Sequence, residues 1–543
     1  MRDRLHWLRG RGLRAVAAAG IAGGLSLLFG AAAQARTDVA PYLEVQQVLE
    51  AEFDGGEVLT YTSVAAGVDA RVATRRTQVQ VSYRYERRIG WEDDVADDDI
   101  HTGIAQAHVQ LARPLSLDAG AIAARARSAG PGSRVGFVSA GDQDVAEVYG
   151  VYGGPTVSTH AGPVAVNASY RLAYVHVDDH SLAGTGAPGG LRDRYESATS
   201  HSVNASVGMA PGELPIGWTV AAGYEREEVD RLDQVYEGKF VHGDVVVPVS
   251  STLALTAGVG YEKLEASQDD FVRGPDGLPV LTPGGHLIPD PARPRLLAYD
   301  QSGLIWDAGV IWRPNRRTEL QARVGERYGG TTVVATLEYQ INDHFGLSAV
   351  LYDSVTSFGR LVISNVSGLP SEFKFDNRGF TGGIGGGCIF GTEPGTGRCF
   401  DDAFQSIAGS NFRNRGVGIL FSGGRGPWDV QVGLGYARRK YLTPDVDVFP
   451  LRGVVEESAT LQAGLGRSLT RTSGLDFDAY ASWYDSGIAG EDNVFSSGLT
   501  ATYYRNFFYE RLQGEASVGL YTTDAGGDAS TIGAAMLGLR YQF

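Results

Sequence analysis

From Thr77 to Arg88 the chain reads TQVQVSYRYERR, and the alternation in this stretch recurs along most of the sequence. Val79, Val81, Tyr83 and Tyr85 fall on one side and Gln78, Gln80, Ser82, Arg84, Glu86 and Arg88 on the other, because successive side chains of a strand point to opposite faces. WTVAAGYERE sets Trp218, Val220, Ala222 and Tyr224 against Glu225 and Glu227, and WDVQVGLGYARRK sets Trp428, Val430, Val432, Leu434 and Tyr436 against Asp429, Gln431 and Arg439. In RLQGEASVGLY, Leu512, Ala516, Val518 and Leu520 face away from Gln513, Glu515 and Ser517. One face is apolar with aromatic ends; the other is small, polar or charged. A soluble barrel packs its interior with apolar side chains, whereas a membrane barrel turns them to lipid and keeps a polar lumen. Period alone does not say which face is buried, and a soluble sandwich shares the alternation.

Segments of this kind begin near residues 42, 59, 77, 100, 115, 146, 164, 196, 217, 236, 253, 303, 318, 331, 345, 413, 428, 454, 474, 492, 511 and 530, which makes 22. The connections after even-numbered segments are short, such as TRR at 74–76, RP at 113–114 and NDH at 342–344. Most of those after odd-numbered segments are longer, with the longest at 358–412. Short turns belong in the periplasm and long loops outside. The expected fold is therefore all-β: a single large transmembrane antiparallel up-and-down β-barrel of about 22 strands with both termini periplasmic.

The chain ends agree with that expectation. Arg2, Arg4, Arg9, Arg11 and Arg14 precede the apolar run AVAAAGIAGGLSLLFG, and AQA ends at Ala35, which reads as a cleaved secretory signal peptide over residues 1–35. An uncleaved anchor helix is the alternative, broken here by glycines. No later apolar run is long enough for a spanning helix. At the other end AAMLGLRYQF places Ala535, Leu537, Leu539, Tyr541 and Phe543 at every second position. This resembles the terminal strand of outer-membrane proteins that the barrel assembly machinery reads, so that machinery, outer-membrane lipid and lipopolysaccharide are the expected partners.

Composition narrows the function. Loss of five Arg and one Asp with the leader takes the net charge from −16 to −20, which speaks against a nucleic-acid partner. Cys388 and Cys399, in GGGCIFGTEPGTGRCF, are expected to form a disulfide in an exported chain. Two cysteines without a nearby His or carboxylate cluster make no metal site, and no cofactor is expected. The acidic loop GWEDDVADDD carries Glu92, Asp93, Asp94, Asp97, Asp98 and Asp99; it reads as a solvated surface, or as a place for divalent cations that bridge lipopolysaccharide.

Histidines such as His101, His108, His176, His180, His201 and His344 are scattered and join no nucleophile motif, so no catalytic residue is assigned and an enzyme is not expected. TGGIGGG at 381–387 lacks the Lys and Ser or Thr of a phosphate loop. The first strand starts soon after the cleavage site, which leaves no room for the plug domain that fills 22-stranded receptors. By alternation Arg84, Glu86, Arg88, Glu225, Glu319, Arg323, Glu338, Arg439 and Glu515 are candidates to line the lumen. The connection 358–412 is read as an outer loop that could fold inward, its disulfide-closed tip then serving as a gate.

The words RRTQVQVSYRYERRI, DSVTSFGRLV, GGGCIFG with RCF, and GYARRKY resemble a family of proteobacterial outer-membrane β-barrels, including those of sphingomonads, associated with exosortase (PEP-CTERM) and exopolysaccharide gene clusters. The resemblance implies an integral outer-membrane location and a part in polysaccharide export, with polymer or export components as partners; it implies no catalytic residues. The function expected is a non-enzymatic pore or conduit linked to exopolysaccharide export. The alternatives are a barrel that binds or anchors surface polymer with its lumen blocked by the long loop, a general solute porin, and a plugless receptor.

Overall fold

The computed structural model describes residues 36–91, 98–127, 139, 145–179, 195–275, 278–282, 287–375, 380, 387–446, 451–509 and 511–543; the expected leader, 1–35, lies outside them. Twenty-two strands form one antiparallel sheet that closes on itself. In chain order they are β1 (Arg36–Glu52), β2 (Val58–Ala73), β3 (Thr77–Gly90), β4 (Asp98–Ala112), β5 (Leu115–Arg127), β6 (Val145–Ala161), β7 (Val164–Asp179), β8 (Ser197–Met209), β9 (Gly217–Val229), β10 (Gln234–Pro248) and β11 (Leu253–Gln268). The second half comprises β12 (Leu296–Asn315), β13 (Thr318–Arg327), β14 (Gly330–Gln340), β15 (Phe345–Thr356), β16 (Asn411–Arg425), β17 (Trp428–Leu442), β18 (Val455–Ser468), β19 (Ser473–Asp485), β20 (Val494–Phe507), β21 (Leu512–Ala525) and β22 (Asp528–Gln542). Each pairs with its neighbours in the chain, and β1 pairs with β22 from Tyr42↔Gln542 to Glu52↔Ile532.

Two strands start more than two residues away from the sequence expectation, at 36 rather than 42 and at 296 rather than 303. The first six residues of β1 pair with β2 alone, beyond the end of β22, and a proline at such an edge, here Pro41, is tolerated. β12 gains its extra length by following β11 past a bulge at Ala266/Ser267. Connections after even-numbered strands are short; among those after odd-numbered ones, 328–329 and 526–527 are two-residue turns, contrary to the general alternation. In the second, Gly526 and Gly527 have φ of 65° and 96°, as a tight hairpin turn requires. Both described chain ends lie at the short-turn end of the barrel, where the Phe543 N–H donates to the Pro41 carbonyl at 3.0 Å.

The wall settles which face is wet. Leu43, Val45 and Leu49 of β1, Val241, Val245 and Val247 of β10, and Leu537, Leu539 and Tyr541 of β22 are exposed, while Glu44, Gln46, Glu50, Arg84 and Glu227 are buried on the inward face. An apolar exterior around a charged interior is unstable in water and stable in a bilayer. The chain is an integral outer-membrane β-barrel.

A single closed sheet of this circumference has no core of its own, and the chain supplies one. The connection after β15, read from the sequence as an outer loop that could fold inward, does so over its described residues, which enter the lumen as helix α1 (Phe358–Ser367), short paired strands at Phe373–Lys374, Cys388–Gly391 and Gly397–Cys399, and helix α2 (Asp401–Phe404). Ser357 caps α1, its Oγ accepting from the Arg360 N–H at 3.2 Å. α1 buries Phe358, Leu361, Val362, Ile363 and Val366 against Ile104, Ile122, Val148, Val175 and Ala198 of β4 to β8. Those strands stand across the 22-strand ring from β15 and β16, where the connection begins and ends. The segment therefore reaches from one wall to the other.

Candidate functional site

The inserted segment is held by side chains that the strand period delivers to the inside. Glu225 and Glu227 sit two apart near the end of β9, so both point inward. Arg360, in the first turn of α1, donates from Nε to Glu227 Oε2 at 3.0 Å, from Nη1 to Glu225 Oε2 at 2.8 Å and from Nη2 to Asn411 Oδ1 at 2.8 Å. Its guanidinium carbon lies 3.7 Å from the centre of the Tyr236 ring. The Ser357 hydroxyl donates to Glu227 Oε1 at 2.7 Å, so the carboxylate is satisfied on both oxygens. A buried charge left without such partners would cost several kcal/mol, so this pair fixes the start of α1.

Further contacts read the backbone of the insertion. Gln80 accepts from the Phe373 N–H at 3.0 Å and donates to the Phe373 carbonyl at 2.6 Å, as a neighbouring strand would. Gln106 donates to the Val366 carbonyl at 2.5 Å and Arg171 to Ser367 Oγ at 3.1 Å. On the opposite wall Gln462 accepts from the Cys388 N–H at 2.5 Å, Lys374 pairs with Asp429 at 2.8 Å, and Arg439 donates to the carbonyls of Ser406 and Ala403 at 3.2 and 3.4 Å. Cys388 and Cys399 are disulfide-bonded on paired strands inside the barrel, packed against the wall rather than at a free outer tip. A β-carbon at Gly433 would lie 2.4 Å from Cys388 Sγ, so a glycine is needed there for this approach. Asp401 lies near both sulfurs, but the disulfide leaves no thiolate for a metal.

All nine lumen candidates lie on the inward face, in five places. Arg84 pairs with Glu44 at 2.5 Å and Glu86 at 3.3 Å, Arg88 with Glu86 at 3.0 Å, and Gln46 donates to Glu515 at 2.9 Å; Arg540 of β22 reaches Asp69 of β2 at 2.7 Å. This network covers the junction of the first and last strands. Glu225 belongs to the Arg360 anchor and Arg439 to the contacts around α2. Arg323 bonds Asp244 and Asp307, which also hold His242 at 3.0 and 3.1 Å. That arrangement has ligand-like spacing, yet the arginine already supplies its cation. Glu319 accepts from Arg313 at 2.6 Å, and Glu338 lies beside it in register. Of the acidic loop, Glu92, Asp93, Asp94 and Asp97 lie outside the described residues; Asp98 and Asp99 belong to β4 and pair with Arg125 and Arg87, each at 2.9 Å. Residues 381–386 of the glycine-rich stretch and His180 also lie outside them.

The insertion leaves part of the lumen open. A cavity of about 910 Å³ runs along the inner face of β16 to β22, from the short-turn end near Gly426 and Arg511 up to a roof formed by Lys374, Phe375 and Gly387 to Phe390. Phe380 lies against an inward apolar patch of Val48, Leu59, Tyr61 and Met536 on the same side of the barrel.

Asp401, in the insertion, has a buried Oδ1 with no hydrogen-bond partner, while Oδ2 accepts from Thr460 at 3.1 Å. Burial pushes its carboxyl up to about 7; the Thr460 hydroxyl opposes this and the neighbouring Asp402 adds to it. A raised folded value means the docked state holds a proton that the free carboxyl, near 4, has lost. Docking around α2 is therefore tightest in acid and weakens as pH rises through about 4 to 7, by on the order of 4 kcal/mol in full. Asp401→Asn should abolish that dependence. Protease susceptibility of the insertion, compared at about pH 5 and pH 8, tests this: a wild-type rate indifferent to pH would refute it.

No family model matches the chain, and no curated protein matches it in sequence. Among solved structures it is similar to the FrpB iron transporter from Neisseria meningitidis, with 10% identity, 93% of this chain and 83% of that one covered, and a TM-score of 0.45. It is likewise similar to the ferric-catecholate import receptor Fiu from E. coli K12 (11% identity, 92% and 81% covered, TM-score 0.47) and to the siderophore receptor PiuA from Acinetobacter baumannii (10% identity, 92% and 82% covered, TM-score 0.42). Likenesses of this degree transfer neither ligand nor function.

Proposed function

We propose that this chain is a gated, non-enzymatic conduit of the outer membrane, linked to exopolysaccharide export, with its short-turn end and both termini in the periplasm. The supporting observation is the polar cavity of about 910 Å³ that rises from the short-turn end and stops at a barrier made from the chain's own insertion. A conduit needs a wet path and a movable block; on this reading the cavity is the path and the insertion the block. The link to exopolysaccharide rests on the resemblance of its sequence words, and recognition of Leu537, Leu539, Tyr541 and Phe543 by the assembly machinery is part of the same reading. The test has two arms. The purified protein in a planar bilayer should be nearly silent and should open when the insertion is loosened, including by reduction of Cys388 and Cys399. A strain lacking the gene should secrete less polymer. Unchanged secretion together with unchanged surface permeability would end the proposal.

The apolar packing of α1 against β4 to β8 favours a second reading, a polymer-anchoring barrel whose lumen is permanently filled. It expects silence before and after reduction, and loss of polymer retention without a permeability change when residues 90–99 are removed.

A further inference from the structure

We infer that the short-turn end of the barrel docks a polyanionic chain, one that carries repeated carboxylate or phosphate groups; this names the class of cargo for the conduit reading and rests on it. Arg471 lies in the turn between β18 and β19, Arg75 and Arg76 in that between β2 and β3, and Arg113 in that between β4 and β5. All four are exposed, and none forms an ion pair among the described residues. Arg511, in the turn between β20 and β21, lines the mouth of the cavity; its neighbour 510 lies outside the described residues. Because the ring closes between β22 and β1, these turns follow one another along one arc of its edge. The described acids among the turns and chain ends of that arc are Asp38 and the terminal carboxylate of Phe543. Elsewhere on the same edge the charge is different. The turns that join β6 to β7, β8 to β9 and β10 to β11 carry no arginine, and Glu213 stands in the second of them. Near the turn from β12 to β13, Arg313 pairs with Glu319 and Arg317 with Asp343, while Arg316 makes no ion pair among the described residues.

The chain as a whole is acidic, at −20 without the leader, so a polyanion is repelled over most of its surface and drawn to this arc. Guanidinium groups suit the task, since they offer paired donors to a carboxylate or phosphate and keep their charge at every working pH. One exposed ion pair contributes little, so recognition depends on how many are engaged together. Neighbouring strands lie about 4.8 Å apart and lean about 40° from the barrel axis, which puts successive turns roughly 12 Å apart along the edge. A small anion meets the arginines of a single turn. A chain with repeated charge reaches several turns, and each further contact forms at the high effective concentration set by the first. Lipid headgroups are the other anions within reach, and the arginines placed for them are different ones. Arg467 and Arg505 lie on strands and stack on Trp428 and Phe507, exposed aromatics of the lipid-facing side, at 4.7 and 5.3 Å. The four turn arginines stand past the last rungs of the wall, Ala73↔Gln78, Ala112↔Leu115 and Ser468↔Gly474.

The experiment is isothermal titration of the folded full-length barrel in a neutral detergent. The titrants are an oligouronate and a linear oligophosphate, each long enough to span two turns, a neutral glucan of the same length, monomeric galacturonate and a short-chain phosphatidylglycerol. At least one of the two polyanions should bind, the glucan should not, and galacturonate should bind about tenfold more weakly than the oligouronate or worse. The Arg75→Gln/Arg76→Gln/Arg113→Gln/Arg471→Gln variant should lose about tenfold in affinity or more, whereas Arg316→Gln, off the arc, should bind as the parent does. Added salt should weaken binding to the intact chain, which serves if the quadruple variant does not fold. Failure of both polyanions, equally tight binding of the glucan, indifference to salt or to the four substitutions, or an equal loss in Arg316→Gln would overturn the inference. Binding of phosphatidylglycerol in place of the polyanions would overturn it too, by assigning the arginines to headgroups. Bilayer conductance and polymer secretion separate it from the reading beneath it. Polyanion binding that persists while transport is absent refutes the conduit and keeps the docking surface, whereas transport without such binding does the reverse.

Discussion

A barrel whose residues 358–410 are replaced by a two-residue turn should conduct steadily in a planar bilayer where the intact chain does not. The wall does not depend on the insertion: β15 and β16 pair from Phe345↔Gly423 to Thr356↔Phe412, and the ring closes between β1 and β22. A barrel of this strand number has an interior that side chains alone do not fill, so removing the insertion leaves water in its place. The deletion also bares Ile104, Ile122, Val148 and Val175 to the lumen, which lowers stability without cutting a ladder bond. Conductance should therefore rise from near silence to a large, steady level in a protein that still shows the gel-mobility shift of a folded barrel. A folded deletion variant that stayed silent would mean that the insertion is not the block.

Arg360→Met should loosen the insertion more than any other single substitution. The change removes the partner of Glu227, a carboxylate 1% exposed, and breaking such a buried pair costs about 3–5 kcal/mol. That corresponds to roughly two to four powers of ten in the docking equilibrium. The expected result is flickering conductance and faster proteolysis between Ser357 and Ser410, with the barrel itself intact. Adding Glu227→Gln should recover part of the loss, because it removes the stranded charge. Protease resistance equal to the parent's would assign docking to the apolar contacts of α1 alone.

The barrel was legible because its outer face is solvated by hydrocarbon. Val79, Val81, Tyr83 and Tyr85 declare themselves by contrast with Arg84 and Glu86, and the same contrast placed nearly every strand start. The course of 358–412 was not legible, since a segment that packs as short pieces against a curved wall has no single period to display. Its holders were equally hidden: Gln80, Gln106, Gln462 and Glu227 look like any polar residue of a wet lumen, and Arg360 lies where no strand pattern reaches. One trace was present. In β7, Ala173, Val175 and Val177 are apolar on the inward face while Leu172 is exposed outside. A stave apolar on both sides in a polar-lined barrel marks the place where something apolar must dock. The disulfide followed from composition, but its position inside the wall required the register of β17, where Gly433 makes room.

An up-and-down ring has one join that chain connectivity does not make, the contact of its first and last staves. Here that join is fastened from within by side chains that each step over a strand: Arg540 of β22 crosses β1 to reach Asp69 of β2, and Gln46 of β1 crosses β22 to reach Glu515 of β21. Prying the join apart would break these ties as well as the ladder. The join is thereby held against parting sideways into the bilayer, and on the conduit reading proposed above a cargo would travel along the axis of the barrel rather than through its wall.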